Sequence, residues 1–430
     1  MRVSNARQQK MTGRHPLSSA WLQLALYVLA GIIFPVAMRT RFDGARIAQE
    51  EATVAIFGIC LATIMVWSIL NRLRDYAKAR LLSYVLPVNF LVFGSLSLVL
   101  LVLRLPYNIS ILLLSALAMT ATSFMLIAVT RGNRQRYWVV PGGRAADTLG
   151  GLDETILLTP ETLREIIGRR MNGSLVADLH HARSEEWDQL IAEAALSGLP
   201  VYHYRQVWEY TTGQVKIDHL RENNLGTLIP NIAYMKAKRL IDILLVIVLL
   251  PALILILPAV ALWVKLDSKG PVFYVQERVG MRGHLFRMYK FRSMLAEPVR
   301  DRSDLEAAMT RSDDDRITRA GRIIRRFRID ELPQILNVLK GEMSWIGPRP
   351  EALPLSRSYE KAIPFYRYRH IVRPGLTGWA QVNQGHVTDL DEIDDKLGYD
   401  FYYIRHFSWW LDALIFLKTF RVIFGGFGAK

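Results

Sequence analysis

The sequence predicts a membrane protein of the α plus α/β class, and three observations carry that prediction. Of its 430 residues, 51% are hydrophobic and 22% charged, and the mean hydropathy is +0.15, too apolar for disorder and unusual for a purely soluble chain. Four apolar stretches before residue 130 each approach the ~20 residues that a helix needs to cross hydrocarbon. After residue 137 short strands alternate with helical patterns, as in a small α/β domain. The expected order is four N-terminal transmembrane helices, a small Rossmann-like α/β domain, and a mostly helical C-terminal domain with a re-entrant membrane helix and interfacial amphipathic helices. A length of 430 residues fits two to four domains.

Lys+Arg number 54 against 39 Asp+Glu, a net +15, which suits anionic partners: nucleic acid, phosphorylated small molecules or acidic lipid headgroups. The long uncharged runs favour the last two. Cys60 is the only cysteine, so neither a disulfide framework nor a cysteine metal site is expected, and it reads as a core residue. The first apolar run is followed by Arg39, Arg41 and more apolar runs, so no cleavable signal peptide is expected.

A cytoplasmic tail, residues 1–20, precedes the four-helix region 21–130, with spans at about 21–38, 53–70, 81–103 and 109–129. Arg2, Arg7, Lys10 and Arg14 precede the first span; Arg72, Arg74, Lys78 and Arg80 fill the second loop; Arg131, Arg134 and Arg136 follow the fourth. These are the cytoplasmic sides by the positive-inside rule, so the chain re-enters the cytoplasm at residue 131. The next region, 137–230, should be a small cytoplasmic α/β domain, with strands at Tyr137–Val140, Ser174–Ala177 and Val201–Tyr204 and helices at about 160–170 and 185–197. Gly142-Gly143 follows the first strand, but without the full dinucleotide fingerprint it reads as a tight turn before it reads as a phosphate cradle.

The C-terminal domain, residues 235–430, opens with an uncharged run, Ile243–Val264, long enough to span. Lys236, Lys238 and Arg239 precede it while Lys265 and Lys269 follow, so both ends look cytoplasmic. Pro251 and Pro258 each remove a backbone donor. A re-entrant helix over 239–264, entering one leaflet and returning, reconciles these facts.

Further on, Asp330-Glu331-Leu332-Pro333-Gln334 opens a helix with apolar residues at Leu332, Ile335, Leu336 and Leu339. Two adjacent carboxylates thus sit at the positive end of a helix; on this segment alone, Asp330 as a simple cap is the commoner situation. Upstream, Ile317, Ala320, Ile323, Ile324 and Phe327 mark one face of a helix whose remainder carries Arg319, Arg322, Arg325 and Arg326, a basic amphipathic pattern suited to a membrane surface. From Arg278 to Asp330 there are 14 Lys+Arg and 8 Asp+Glu. Concentrated positive charge beside two carboxylates suits phosphoryl chemistry, in which cations and a metal neutralise phosphate oxygens while a carboxylate attacks.

Gly347-Pro348-Arg349-Pro350-Glu351 and Arg373–Asn383 are rich in rigid turns that leave Arg349, Arg373 and Gln381 as pre-placed donors. Lys238-Arg239 with Asp242, Lys265 with Asp267-Ser268, Gln276 with Arg278 and Gly280, Tyr289-Lys290 with Arg292 and Met294, Asp330-Glu331 with Gln334, Gly347–Pro350 and Arg373–Asn383 follow one another in this order. That succession resembles the bacterial sugar transferases that initiate surface-glycan synthesis, the polyprenyl-phosphate sugar-1-phosphate transferases, closely over 235–430 and in general layout before it.

The resemblance implies transfer of a sugar-1-phosphate from a UDP-sugar to undecaprenyl phosphate with release of UMP, at the cytoplasmic face of the bacterial inner membrane. It implies Mg²⁺ as cofactor, Asp330 as catalytic nucleophile and Glu331 as catalytic partner and metal ligand. Arg278, Lys290, Arg292, Arg325, Arg349, Arg373 and Gln381 are the candidate substrate-binding residues. Membrane lipids are expected partners and nucleic acid is not; a homo-oligomer is left open, as is the identity of the sugar. One departure stands out: members commonly carry a Ser-Pro break near Ile254-Leu255, where this chain has Pro251 and Pro258 instead. Two alternatives remain: a lipid-linked glycosyltransferase releasing UDP, and a non-catalytic membrane scaffold. Ten of the 26 residues in Tyr399–Phe424 are aromatic, interrupted by Asp412, Lys418 and Arg421, as in a helix lying at the membrane interface.

Overall fold

In a computed structural model, the structure describes residues 19–42, 49–73, 81–105, 107–130, 136–152, 155–169, 171, 173–216, 229–295, 316–384 and 390–425. The flanking charges Arg2, Arg7, Lys10, Arg14, Arg74, Lys78, Arg80, Arg131 and Arg134 lie outside the described residues. The chain forms two compact units, residues 1–212 and 213–430.

The first unit begins with helices α1 (Ala20–Val28) and α2 (Phe34–Phe42), joined without a break by one π-helical turn, Leu29–Ile33. Then come α3 (Gln49–Leu73), α4 (Leu81–Val102) and α5 (Ile109–Thr130). The π turn holds Gly31, where a Cβ would meet Met119 Sδ at 2.7 Å and Thr63 Oγ1 at 2.9 Å, so glycine is what lets these helices approach closely. Tyr27 donates to Ser123 Oγ at 3.0 Å within the bundle, while Trp21, Phe57, Phe90 and Leu117 face outward. Cys60 is half-buried on α3, not a core residue. The four spans seen in the sequence are present, each within a few residues of its expected ends. With one further helix, five among the described residues are long and apolar enough to cross a membrane.

The α/β domain of this unit contains strands β1 (Tyr137–Val139), β2 (Thr155–Leu157), β3 (Ser174–Ala177) and β4 (Val201–His203), all parallel in the order β2-β1-β3-β4. Between and after them lie α6 (Ala145–Leu149), α7 (Pro160–Gly168), α8 (Glu185–Leu196) and α9 (Tyr204–Thr212). Thr159 and Thr162 form a capping box ahead of Pro160, which starts α7 where an N–H is not needed. Trp138, Leu163, Leu175, Ala177 and Leu190 form the core on one side of the sheet, and Val139, Val176, Tyr204 and Val207 that on the other. β2, α6 and α9 escaped the sequence reading. Gly142 and Gly143 have φ of +104° and +62°, as a tight turn requires, and a Cβ on Gly143 would lie 2.5 Å from Asp178 Oδ2.

The second unit starts with α10 (Ile232–Asp267), capped by Asn231, whose side chain accepts from Tyr234 N–H. It runs as one unbroken helix of 36 residues through Pro251 and Pro258. Each proline deletes a single N–H, and the turns between them keep their own bonds. Lys238, Asp242, Val246, Leu253, Val260 and Val264 are buried, a single stripe at helical spacing, while Leu244, Val248, Leu255, Leu262 and Leu266 are exposed. Along that stripe pack the antiparallel hairpin β5 (Phe273–Val279) and β6 (Leu285–Phe291), helix α11 (Arg319–Arg326), and a 3₁₀ segment, Ile329–Gln334, that continues as α12 (Ile335–Lys340). Only Ala320, Gly321 and Ile324 of α11 are buried; Ile323 and Phe327 are exposed beside the arginines. A Cβ on Gly321 would lie 2.0 Å from Ser293 O, so the helix docks there through its glycine.

Strands β7 (Ser344–Ile346) and β8 (Gly375–Thr377) pair in parallel, with α13 (Leu353–Ala362) between them and α14 (Trp379–Asn383), α15 (Leu390–Arg405) and α16 (Trp409–Gly425) following. The aromatic stretch Tyr399–Phe424 is therefore two helices, not one interfacial helix. Phe401, Tyr402 and Tyr403 are fully buried core; Trp409, Phe416 and Phe420 are exposed. The charges Asp412 and Lys418, which interrupt the run, are satisfied internally. Asp412 pairs with Lys238 and accepts from Tyr234 and Tyr403 hydroxyls. Lys418 donates to Asn383 Oδ1 at 2.7 Å and stacks over the Trp379 ring.

Candidate active site

The carboxylate pair lies in the 3₁₀ segment, not in the first turn of an α-helix. Arg328, just before it, has φ of +56°, a left-handed conformation that is strained for a side chain of this size and that reverses the chain out of α11. Asn337 fixes the segment from the other end, accepting from Tyr289 N–H and donating to Arg287 O, which ties α12 to β6.

Asp330 and Glu331 are both buried, yet their surroundings differ. The Oε1 atom of Glu331 receives Arg349 at 2.8 Å, Lys290 at 3.2 Å and Arg328 at 3.5 Å. Burial alone would raise its pKa; Arg349, Lys290 and Arg328 outweigh burial and hold the carboxyl far below the ordinary range. Among the described residues neither its Oε2 nor the Asp330 carboxylate accepts a hydrogen bond. Burial raises Asp330 above the ordinary 3.8 and the adjacent Glu331 charge adds to this, against the pull of Lys290, Arg349 and Arg328. Two neighbouring carboxyls are thus pushed in opposite directions, one anchored and one held in reserve.

The cations are positioned by rigid backbone. Gly347 N donates to Thr377 O and Gly375 N to Pro348 O, and Cβ atoms on Gly375 and Gly378 would lie 2.1 Å and 2.2 Å from the Gly347 backbone. The two turn-rich motifs are interlocked by their glycines. Arg369 donates to Arg349 O at 2.9 Å and Arg278 to Pro350 O at 3.0 Å. Arg369 is itself held by Asp400 and the Tyr366 hydroxyl, and Glu351 by Lys396. Arg278, Met288, Gln334, Arg349, Pro350 and Gly375 line a small cleft at this point.

Of the residues proposed from sequence, Lys290, Arg349, Asp330 and Glu331 come together, with Arg278 at the edge of the group. Arg292 lies elsewhere, donating to Ser268 O at 2.6 Å and Ser268 Oγ at 2.9 Å at the end of α10. Arg373 donates to Gly341 O at 3.0 Å beyond α12, and Gln381 to Leu376 O at 3.1 Å. Arg325 is half-buried on α11, and the cations acting most strongly on the carboxylates are Lys290, Arg349 and Arg328 instead. Sequence reasoning passed over Arg328 and the supporting group Glu351, Arg369, Lys396 and Asp400. Arg328 sits three residues before Glu331, a spacing that was legible as a side-chain pair; the others pair across 18 to 45 residues.

Residues 233–426 match the family described as bacterial sugar transferase. Over 378 residues the chain is 41% identical to a UDP-N-acetylgalactosamine-undecaprenyl-phosphate N-acetylgalactosaminephosphotransferase of Aeromonas hydrophila, covering 87% of each chain. It belongs to the bacterial sugar transferases. Two other relatives align with less than half of this chain. A UDP-glucose:undecaprenyl-phosphate glucose-1-phosphate transferase of Xanthomonas campestris pv. campestris is 42% identical over 209 residues, 48% of this chain and 42% of that one. An undecaprenyl-phosphate glucose phosphotransferase of Komagataeibacter xylinus is 47% identical over 198 residues, 44% and 36% of the two chains. This sugar transferase is therefore an enzyme, and a scaffold without chemistry is set aside. The matched family segment contains the carboxylate pair and every cation around it.

Hard oxygen ligands suit Mg²⁺, which takes one or two carboxylates plus substrate phosphates. Glu331 Oε2 and the Asp330 carboxylate offer oxygens of that kind. The three cations on Oε1 leave that side closed to a metal.

Proposed function

We propose that this transferase moves a sugar-1-phosphate from a UDP-sugar to undecaprenyl phosphate and releases UMP. The observation that carries the proposal is the divided carboxylate pair: Glu331 anchored by three cations, Asp330 buried beside it with no hydrogen-bond partner among the described residues. An Asp330 oxygen attacks the phosphorus that bears the sugar; a P–O bond forms, the bridging P–O bond breaks, and UMP leaves with the bridging oxygen. A phosphate oxygen of undecaprenyl phosphate then attacks the same phosphorus and returns Asp330 to its carboxylate. Two steps replace one direct transfer between bulky anions. Mg²⁺, held by Glu331, supplies charge neutralisation on the diphosphate. Lys290, Arg349 and Arg278 bind the remaining phosphate charge, and Arg328 orients Glu331. UDP-N-acetylgalactosamine is the first donor to test, because the relative of that name aligns along nearly the whole chain.

The chemistry belongs to residues 235–430, with the transferase multi-pass in the bacterial inner membrane and the site on its cytoplasmic face, where nucleotide sugars are made. Support for α10 returning to its side of entry, although it runs as one helix, comes from the cations at both ends: Lys236, Lys238 and Arg239 before its uncharged run and Lys265 and Lys269 after it. Cysteines at Ile232 and Lys269 in a Cys60→Ala background should both be shielded from an impermeant thiol reagent in intact cells and both react in inverted vesicles. Opposite labelling would make α10 a true span and remove the site from its donor. The reaction itself is tested by the nucleotide product: UMP supports sugar-phosphate transfer, and UDP would establish transfer of the sugar alone.

A further inference from the structure

The α/β domain holds a second constellation that the transfer reaction does not use. Asp178 follows β3, His180 lies in the same loop, and His203 ends β4. These are the C-terminal ends of parallel strands, next to the point between β1 and β3 where the strand order reverses, the usual ligand position of an open α/β sheet. The Gly142-Gly143 turn closes against them, and Arg144 N–H donates to Asp178 Oδ2 at 3.0 Å, leaving Oδ1 directed at the histidines.

His180 Nδ1 lies 3.1 Å from His203 Nε2, which lies 3.5 Å from Asp178 Oδ1. One ligand atom from each residue falls within 4.8 Å of the others. With metal–nitrogen distances of about 2.0–2.1 Å, a tetrahedral site has ligand–ligand edges of roughly 3.3–3.4 Å, so both short separations bracket that value. Two imidazoles and one carboxylate are borderline ligands that suit transition metals over Mg²⁺ or Ca²⁺. We infer that the α/β domain carries a divalent-metal site formed by Asp178, His180 and His203, of a kind that takes zinc and leaves one coordination position for water or another small ligand.

The binding has an identifiable cost. His203 Nδ1 accepts from Arg205 N–H at 3.2 Å, and coordination through Nε2 requires the proton to move to Nδ1, so that contact must open. The competing account is a metal-free hydrogen-bond chain from Asp178 through His203 to His180, and the two differ in a measurable way.

The full-length transferase, purified in detergent without a histidine tag and stripped of metal, is titrated with Zn²⁺ against a chromophoric chelator. Co²⁺ loading provides a second readout through its visible d–d absorption. One equivalent should bind tightly. Outer-shell changes alone weaken metal sites about 10- to 100-fold, so His180→Ala or His203→Ala should weaken binding by about 100-fold or more. His180 is exposed, so its substitution leaves the fold intact, and an unchanged thermal transition of the metal-free variant verifies this. The inference is overturned if the wild-type chain binds no zinc or if both histidine variants bind it as tightly. Zinc that is lost only on Glu331→Gln belongs to the carboxylate pair, and that outcome overturns the inference as well.

Discussion

In the α/β domain, the Arg–Glu ion pairs lie at the surface: Arg164 and Glu186 meet at 2.6 Å with both side chains about half exposed, and Arg169 with Glu165 likewise. In the C-terminal unit, Glu331, Glu351 and Asp400 are buried and each is held by one or more cations. The α/β domain draws its stability from apolar packing on both faces of a four-stranded sheet. The C-terminal unit instead dedicates much of its interior to charge that is stable only while every partner is present. Relatives 42% and 47% identical to this chain align with about 200 residues of it, and the matched family segment, 233–426, contains the buried charges. The buried charge network thus sits in the same unit as the carboxylate pair, whereas the α/β domain is held by apolar packing, and four experiments can break or sharpen that contrast.

The largest effect is expected at the nucleophile. Asp330→Asn keeps the shape and removes the attacking charge, so UMP release should fall by a factor on the order of 10⁴ or more, and no phosphosugar should be trapped on the protein. Glu331 makes no bond to the sugar phosphate, so Glu331→Gln should retain more turnover than Asp330→Asn. If the order is reversed, the two carboxyls have been assigned the wrong way round.

Arg369 gives the next effect, this time on stability. It is fully enclosed, with Nε and Nη2 on Asp400 at 3.0 Å and 2.8 Å, Nη1 on the Tyr366 hydroxyl at 2.6 Å, and Nη2 on Arg349 O. Arg369→Ala leaves Asp400 and Glu351 buried with less compensation, a change that costs about 3–5 kcal/mol in comparable buried pairs. Denaturant unfolding in detergent reads this directly. A loss below about 1 kcal/mol would mean that water enters the cluster and that the network is less buried in solution than its geometry indicates.

A smaller, pH-dependent effect separates the two carboxyls. Asp330 is raised above 3.8 and Glu331 is lowered below the ordinary 4.5, so on acidification Asp330 takes up a proton first and stops acting as a nucleophile. The acidic limb of kcat/KM, which reports the free enzyme, should therefore fall above pH 3.8. Lys290→Gln removes a charge that favours ionised Asp330 and should move that limb to higher pH. A limb that stays in place would show that another group controls it.

Much of this organisation was legible in the sequence, for physical reasons that differ by element. Membrane spans are one-dimensional signals, and α1 to α5 start and end close to where hydropathy and flanking arginines indicated. Strand β2 was not legible because it is a three-residue edge strand whose Ile156 and Leu157 are exposed; there is no alternation to detect. Tyr399–Phe424 misled because Asp412 and Lys418 looked like water-facing breaks in an apolar run, whereas Lys238, 174 residues from Asp412, and Asn383, 35 residues from Lys418, partner them in the interior. Within the site, sequence shows that an arginine exists but not what it faces. Arg349 and Arg292 follow equally suggestive motifs, and one pairs with Glu331 while the other closes the end of α10. The motif Asp330-Glu331 was legible as a site, but the opposite settings of its two members depend on Lys290 and Arg349, which are 41 and 18 residues from Glu331.

The smallest effect tests whether distance or burial decides the worth of an ion pair. Arg164–Glu186, at 2.6 Å, is shorter than Arg349–Glu331, at 2.8 Å. If proximity ruled, the pair in the α/β domain would be the stronger. Its side chains are 56% and 51% exposed, however, against 28% and 8% for Arg349 and Glu331, so water and salt screen it and two long side chains must be ordered to form it. A double-mutant cycle with Arg164→Ala and Glu186→Ala should give a coupling of about 0.2–0.5 kcal/mol that shrinks further at high salt. The same cycle on Arg349 and Glu331 should exceed it several-fold and respond weakly to salt, because little solvent reaches Glu331. Equal couplings would mean that burial is not what distinguishes the two units, and the comparison between them would then have to be drawn on packing alone.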